Sequence, residues 1–300
     1  MKPAPFEYQA PASLDAALDL LAHHAGDIGE AKVLAGGQSL IPVMNFRLAE
    51  PALLVDINKL TELDFIHRGE DGGLRIGGLT RQRRLERDPL VAEVAPLLHE
   101  TMPFIAHPQI RNRGTLGGSL AHADPAAELP AIAVALRARL RLRKAGGERW
   151  VDAADFFRGL FTTLLEPDEM LVEVAIPPLP PRTGWAFLEI ARRHGDYAQV
   201  GLAALVTLDD AGRCREARLV YLSAGDRPVE AREAARLLAG QEISPQAITA
   251  AADKASRDEM EPFGDIHATA EFKRHLARVL TGRALRQAAE RAERTKGRAA

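Results

Sequence analysis

Apolar residues recur three and four apart at Leu14, Ala17, Leu18 and Leu21 behind Ser13, a spacing that predicts a helix with serine as its cap. Short apolar runs surround it. Phe6-Glu7-Tyr8 reads as a strand, residues 32–35 as a buried strand, residues 42–48 as a brief helix and residues 53–57 as another strand. Strand and helix therefore alternate through a small α/β unit that ends near residue 58. Beyond it, residues 64–68 and 74–76 flank Gly69-Glu70-Asp71-Gly72-Gly73, a hairpin signal. Gly77-Gly78-Leu79-Thr80 then opens a charged helix, and its arginines at 81, 83, 84 and 87 read as a solvated face.

Residues 131–136 are continuously apolar and suit a helix, whereas Arg139-Leu140-Arg141-Leu142-Arg143 alternates as a strand does. Residues 144–148 turn that strand, and residues 170–176 are expected to return it. Pro177-Pro178-Leu179-Pro180-Pro181 resists both helix and central strand, which places a domain boundary there. After the break, residues 185–191, 198–208 and 217–223 read as three strands, with Asp209-Asp210-Ala211-Gly212 as a turn, and helices follow at 230–238, 245–254 and from 269. The organisation expected is a domain over 1–178, in subdomains of about 1–58 and 59–178, a second over 182–290, and a basic tail over 291–300. Such a tail either grips an acidic partner or is a solvated helix end.

Composition narrows the chemistry. Three hundred residues bury a sizeable core without staples. One cysteine, Cys214, excludes an internal disulfide, a Cys-rich zinc site and any iron-sulfur cluster held by four thiolates of this chain. A formal charge of -2 gives no electrostatic case for nucleic acid or membrane. No run of eighteen apolar residues occurs and Met1-Lys2-Pro3-Ala4-Pro5 lacks the apolar core of a secretory signal, so a cytoplasmic protein is expected.

Two glycine turns carry the candidate chemistry. Leu34-Ala35-Gly36-Gly37-Gln38-Ser39-Leu40 links an expected strand to a helix start at Ile41-Pro42. Its paired glycines permit positive φ and let several N–H groups face one anion, with Ser39 adding a hydroxyl. An ordinary turn with Ser39 as N-cap explains the same residues. About eighty residues on, Gly114-Thr115-Leu116-Gly117-Gly118-Ser119-Leu120-Ala121-His122-Ala123-Asp124-Pro125 repeats the theme with hydroxyls at Thr115 and Ser119 and a carboxylate at Asp124. Singly these also suit structural roles: Asp124 as an N-cap, His122 as a loop histidine, Glu128 as a first-turn charge. Two such turns suit a long dinucleotide, yet neither has the Gly-x-Gly-x-x-Gly spacing of a Rossmann unit.

Together, Ala35-Gly36-Gly37-Gln38-Ser39-Leu40-Ile41-Pro42 and Thr115 to Pro125 closely resemble the FAD-binding medium subunit of molybdenum hydroxylases, the family of carbon monoxide, nicotinate, quinoline and xanthine dehydrogenases. Leu54-Val55-Asp56-Ile57, Ile76-Gly77-Gly78 and Ala191-Arg192-Arg193-His194-Gly195-Asp196-Tyr197-Ala198 resemble further family landmarks, in order, so the likeness spans nearly the whole chain. It implies an α+β chain: two subdomains of the PCMH (vanillyl-alcohol-oxidase-like) type that clasp FAD, then a domain with a three-stranded antiparallel sheet and helices. By the same resemblance the first turn wraps the pyrophosphate, residues 115–119 and Asp124 reach the pyrophosphate, ribitol and flavin, and Thr101, Leu171 and Tyr197 lie close by. Covalent attachment through His99, His107, His122 or His194 is not implied. Partners are implied instead: an iron-sulfur small subunit with two two-iron two-sulfur clusters and a molybdopterin large subunit, in a dimer of heterotrimers that delivers electrons to NAD or a quinone. A self-contained FAD-dependent oxidase or dehydrogenase is the alternative.

Overall fold

The computed structural model describes residues 1–26 and 31–294. Strand β1 (Glu7–Gln9) and helix α1 (Leu14–His24) lead into β2 (Ala31–Leu34), helix α2 (Leu40–Asn45) and β3 (Leu53–Asp56). Ser13 caps α1 as its spacing predicts, its hydroxyl accepting from Ala16 N at 3.2 Å. β3 lies between β1 and β2 and runs parallel to both, because each connection passes through a helix. The apolar face of α1 closes on Leu53, Val55 and Ile57. β2 is half-covered rather than buried, since it forms an edge of this sheet and presents Lys32 to solvent.

The next unit opens with the expected hairpin, β4 (Ile66–Arg68) and β5 (Leu74–Gly77). Six short helices follow: α3 (Gln82–Arg87), α4 (Pro89–Val94), α5 (Pro96–Thr101), α6 (Pro108–Arg111), α7 (Leu116–His122) and α8 (Glu128–Ala135). β6 (Arg139–Lys144), β7 (Gly147–Asp152), α9 (Ala153–Phe156), the hairpin β8 (Phe157–Gly159) and β9 (Thr162–Thr163), and β10 (Met170–Ile176) complete it. The sheet order is β4-β5-β10-β6-β7, with every pairing antiparallel. β7 corrects the sequence reading. It, and not β10, is the hairpin return of β6, and β10 pairs along the other edge of β6. As an outermost strand, β7 buries little and offers only Trp150 and Val151 as apolar residues, too few to stand out as a run.

In the C-terminal part, β11 (Thr183–Ala191), β12 (Ala198–Leu208) and β13 (Cys214–Leu222) form the expected meander, extended by the two-residue β14 (Val229–Glu230). Helices α10 (Arg232–Arg236), α11 (Pro245–Asp258) and α12 (Ala270–Arg294) cover one face. The other face meets α8, every residue of which is buried, so Ala203, Leu205, Val220 and Leu222 share one core with Leu74, Ile132 and Leu140. Arg291, expected in a solvated tail or against a partner, is instead tied down within the chain. Its guanidinium donates to Glu100 at 2.8 Å and to Trp185 O at 3.0 Å, and lies 5.2 Å from the Trp185 ring centre. The rest of that tail, from residue 295, lies outside the described residues.

Candidate FAD site

The first glycine turn connects β2 to α2 as expected. Gly37 sits at φ +70°, a conformation glycine adopts without steric cost. Gly36 is glycine for a different reason: a Cβ there would strike Arg113 O and lie 2.9 Å from both Arg113 C and Gly114 Cα. The small parallel sheet and the segment before α7 therefore meet backbone to backbone. Ser39 does not cap α2. Its backbone is already helical and its hydroxyl makes no capping bond.

What this turn leaves open is decisive. Ile41 N bonds Gly37 O and Val43 N bonds Ser39 O, each at 3.1 Å, and Gln38 Nε2 donates to Gly36 O at 3.0 Å. The backbone N–H groups of Gly36, Gly37, Gln38 and Ser39 meet no acceptor among the described residues. Gly36, Gly37 and Gln38 border a cleft of about 430 Å³ lined also by Leu34, Ala35, Ile41, Pro42, Asp56, Asn58, Ile110 and Arg113. Successive unpaired amides around a concavity form an anion-binding nest. A larger hollow, of about 690 Å³, between β1 and α1 is shallower and collects no such donors.

Charges of both signs, Arg113 and Asp56, line the cleft. Arg81 spans the seam, its Nη2 donating to Asn58 Oδ1 at 2.5 Å and its Nη1 to Arg113 O, while Asn58 Nδ2 donates to Ala35 O at 2.9 Å. This corrects the solvated-face reading: Arg81 is half-buried, and burial and the nearby Arg113 cation lower its pKa. Burial opposes ionisation of Asp56, but hydrogen bonds from Tyr8 and Asn58 and the charge of Arg113 hold its carboxyl below the usual range. Arg113 itself is exposed on the cleft. Sequence reasoning did not single out Arg113, Asn58 or Asp56, although Arg113 directly precedes the second motif.

The second glycine turn is built differently. Leu116 N and Gly117 N donate to Thr80 O and Gly78 O at 3.0 and 2.9 Å, Gly118 N to Thr115 Oγ1 at 3.0 Å, and Ser119 N to Thr115 O at 3.2 Å. Its amides are thus engaged by the protein, and only the first turn keeps a free row. Gly117 allows close packing, since a Cβ there would lie 2.6 Å from Gly78 O, and Gly114 gives room to the Gln82 amide. Gly114, Thr115, Leu116 and Gly117 are buried, leaving Gly118 and Ser119 half-exposed on the side of the first turn, with Gly118 facing Ala35.

Past α7 the chain turns through Ala123 at φ +52° to Asp124, whose Oδ1 accepts from Ala126 N at 2.9 Å. Asp124 is therefore a turn residue, with α8 beginning only at Glu128. Tyr197, 69% exposed, reaches this region from the loop joining β11 and β12. Partial desolvation of the hydroxyl raises its phenol pKa despite that exposure, as do the charges of Asp124 and Glu128. Gly195 at φ +88° seats that loop, because a Cβ would lie 2.7 Å from the His107 ring. Phe161, at φ +51°, projects from the β8–β9 hairpin with its ring 5.1 Å from that of His122. The outlying residues that the resemblance implies, Thr101 and Leu171, are both buried. Thr101 has no exposed surface and its hydroxyl is taken by Leu97 O, while Leu171 is 6% exposed within β10.

A nest of amides beside an exposed arginine suits the diphosphate of a dinucleotide. A family model described as the FAD binding domain in molybdopterin dehydrogenase matches residues 4–179. The chain belongs to that family. A second model, the CO dehydrogenase flavoprotein C-terminal domain, matches residues 185–288. Among curated relatives, subunit alpha of the 6-hydroxypseudooxynicotine dehydrogenase complex from Paenarthrobacter nicotinovorans is 43% identical, covering 99% of this chain and 98% of its own. Caffeine dehydrogenase subunit beta from Pseudomonas sp. (strain CBB1) is 39% identical, over 97% of each. Carbon monoxide dehydrogenase from Hydrogenophaga pseudoflava superposes with a TM-score of 0.92 at 38% identity, over 97% of this chain and 99% of its own. Quinoline 2-oxidoreductase from Pseudomonas putida 86 gives 0.90 at 40%, with the same coverage. The chain is thus an FAD-binding medium subunit of the molybdenum hydroxylase type and an oxidoreductase component. Gly36, Gly37 and Gln38 border the cleft of this family member together with Arg113.

Proposed function

We propose that the chain passes electrons from the iron-sulfur clusters of a small partner subunit through FAD to an external acceptor, NAD or a quinone, in a cytoplasmic complex completed by a molybdopterin large subunit. A dimer of heterotrimers is the proposed assembly. The observation that carries the reading is the row of unpartnered N–H groups from Gly36 to Ser39 beside Arg113, a seat for a diphosphate. FAD supplies the redox chemistry when bound, and the chain supplies its seat. In this reading electrons come from another chain, since a lone buried cysteine cannot hold an iron-sulfur cluster.

The test loads the isolated chain with FAD and follows bleaching of the flavin absorbance under anaerobic conditions. Addition of the reduced iron-sulfur subunit should bleach it, whereas organic substrates of molybdenum hydroxylases alone should not. Direct bleaching by such a substrate, with no second subunit, would make the chain a self-contained dehydrogenase.

A further inference from the structure

The first glycine turn keeps its amides free by fixing the carbonyls behind them. In a trans peptide the C=O and the following N–H point in opposite directions, so whatever binds the carbonyl also aims the amide. Ala35 O accepts from Asn58 Nδ2 at 2.9 Å and Gly36 O from Gln38 Nε2 at 3.0 Å, while Gly37 O is held by Ile41 N at 3.1 Å. Three successive peptide planes are thereby set. The N–H groups they carry, those of Gly36, Gly37 and Gln38, meet no acceptor among the described residues. Helix backbone holds only the third plane, and the first two depend on side chains.

We propose that Asn58 and Gln38 are positioning residues for the FAD diphosphate, holding the Ala35 and Gly36 carbonyls so that the Gly36 and Gly37 N–H groups stand ready for the anion. This rests on the reading that the turn seats the diphosphate. Asn58 acts through Ala35 and not on the ligand, because its carboxamide is spent within the protein. Its Nδ2 also donates to Asp56 Oδ1 at 2.6 Å, and its Oδ1 accepts from Arg81 Nη2 at 2.5 Å. A reversed carboxamide would set oxygen against the Asp56 and Ala35 acceptors and NH2 against the Arg81 cation, so its neighbours fix its orientation. Asp56 is anchored in turn, its Oδ1 accepting from Asn58 N at 2.8 Å and its Oδ2 from the Tyr8 hydroxyl at 2.5 Å.

The gain is pre-organisation. A loose glycine pair samples many backbone conformations, and an anion that had to gather those amides itself would bear the entropy of ordering them. Here folding orders them in advance, through two neutral carboxamides that add no charge to the cleft. The second glycine turn has no comparable arrangement, since its amides are themselves bound, by Thr80, Gly78 and Thr115.

The experiment uses the full-length chain labelled with nitrogen-15 at glycine, the Gly36 and Gly37 amide signals being assigned by Gly36→Ala and Gly37→Ala. FAD affinity is measured in parallel by flavin fluorescence. In the wild type, FAD should shift both signals. Asn58→Ala should displace the Gly36 signal of the apo-protein and Gln38→Ala the Gly37 signal, and each should weaken FAD by about three- to tenfold, the worth of one net hydrogen bond. Wild-type affinity in either folded variant overturns that residue's role, and weakened binding with both glycine signals unmoved reduces the effect to general damage and overturns it too. Should Asn58→Ala fail to fold, Gln38→Ala, at a half-exposed position on the cleft, still decides. A wild-type chain that binds FAD without moving either glycine signal would sink the seat itself. Signals that move in the wild type, with wild-type affinity in both variants, would sink the positioning and leave the seat standing.

Discussion

Replacing Gly36 by alanine tests the nest at its seam. The added methyl would collide with Arg113 O and stand 2.9 Å from Arg113 C and Gly114 Cα, all main-chain atoms that no rotamer change can move aside. Relief requires the β2–α2 turn and the segment before α7 to separate by about 1 Å, since ordinary carbon contacts begin near 3.5 Å. Overpacking of this kind costs about 1–3 kcal/mol, and each kcal/mol lowers Tm by about 2–4 °C in a chain of this size class. The same displacement pulls the Gly36 to Ser39 amides away from Arg113, and a loss of only about 1.4 kcal/mol in binding is tenfold in Kd. Gly37→Ala is the control. Its φ of +70° costs about 1–2 kcal/mol for a residue with a Cβ, but the atoms its methyl meets, Ile41 Cγ1 and Leu34 Cδ1 at 3.2 Å, belong to side chains that can shift. FAD titrations by flavin fluorescence, alongside thermal melts of the apo-protein, should show Gly36→Ala weakening FAD by tenfold or more and by more than Gly37→Ala does, at a comparable fall in Tm. Wild-type FAD affinity in Gly36→Ala would refute the reasoning.

Other expectations follow from single residues. Arg113→Ala should weaken FAD and flatten the salt dependence of binding while leaving apo-protein stability within about 0.5 kcal/mol, as measured by urea unfolding, because the Arg113 side chain is exposed and makes no ion pair among the described residues. Glu128 has a folded pKa near 7, above its unfolded value, so the folded state binds the extra proton and stability should fall as pH rises from about 4.5 to 7. Glu128→Gln should flatten that limb in denaturation curves taken across the range; an unchanged slope would contradict the assignment. Cys214 is fully buried and its thiol is pushed up to about 11, chiefly by burial, so iodoacetamide should label it only after denaturant unfolds the chain, as followed by mass spectrometry.

Much of this was legible in the sequence because local chemistry and tertiary role agreed. Ser13 before Leu14, Ala17, Leu18 and Leu21 is a cap before a core-facing stripe, and the long apolar strands 198–208 and 214–222 have no other use than a buried sheet. The glycine turns were legible as turns, but the reasons for their glycines were not. Gly36 and Gly117 are set by main-chain neighbours, Arg113–Gly114 and Gly78, that are distant in sequence. For that reason the second turn, similar in letters to the first, has its amides engaged while the first leaves them free. Arg81 looked like one more charge in an exposed run, yet packing turns it into the link between Asn58 and Arg113.

The close seating of Gly36 on Arg113 has an outcome for assembly. The anion seat exists only while the small parallel sheet is docked against the larger unit, since neither contributes the whole of it. Retention of the yellow colour therefore reports that docking: under gentle denaturation the pigment should be shed when the two pieces part, ahead of the loss of helical signal from either.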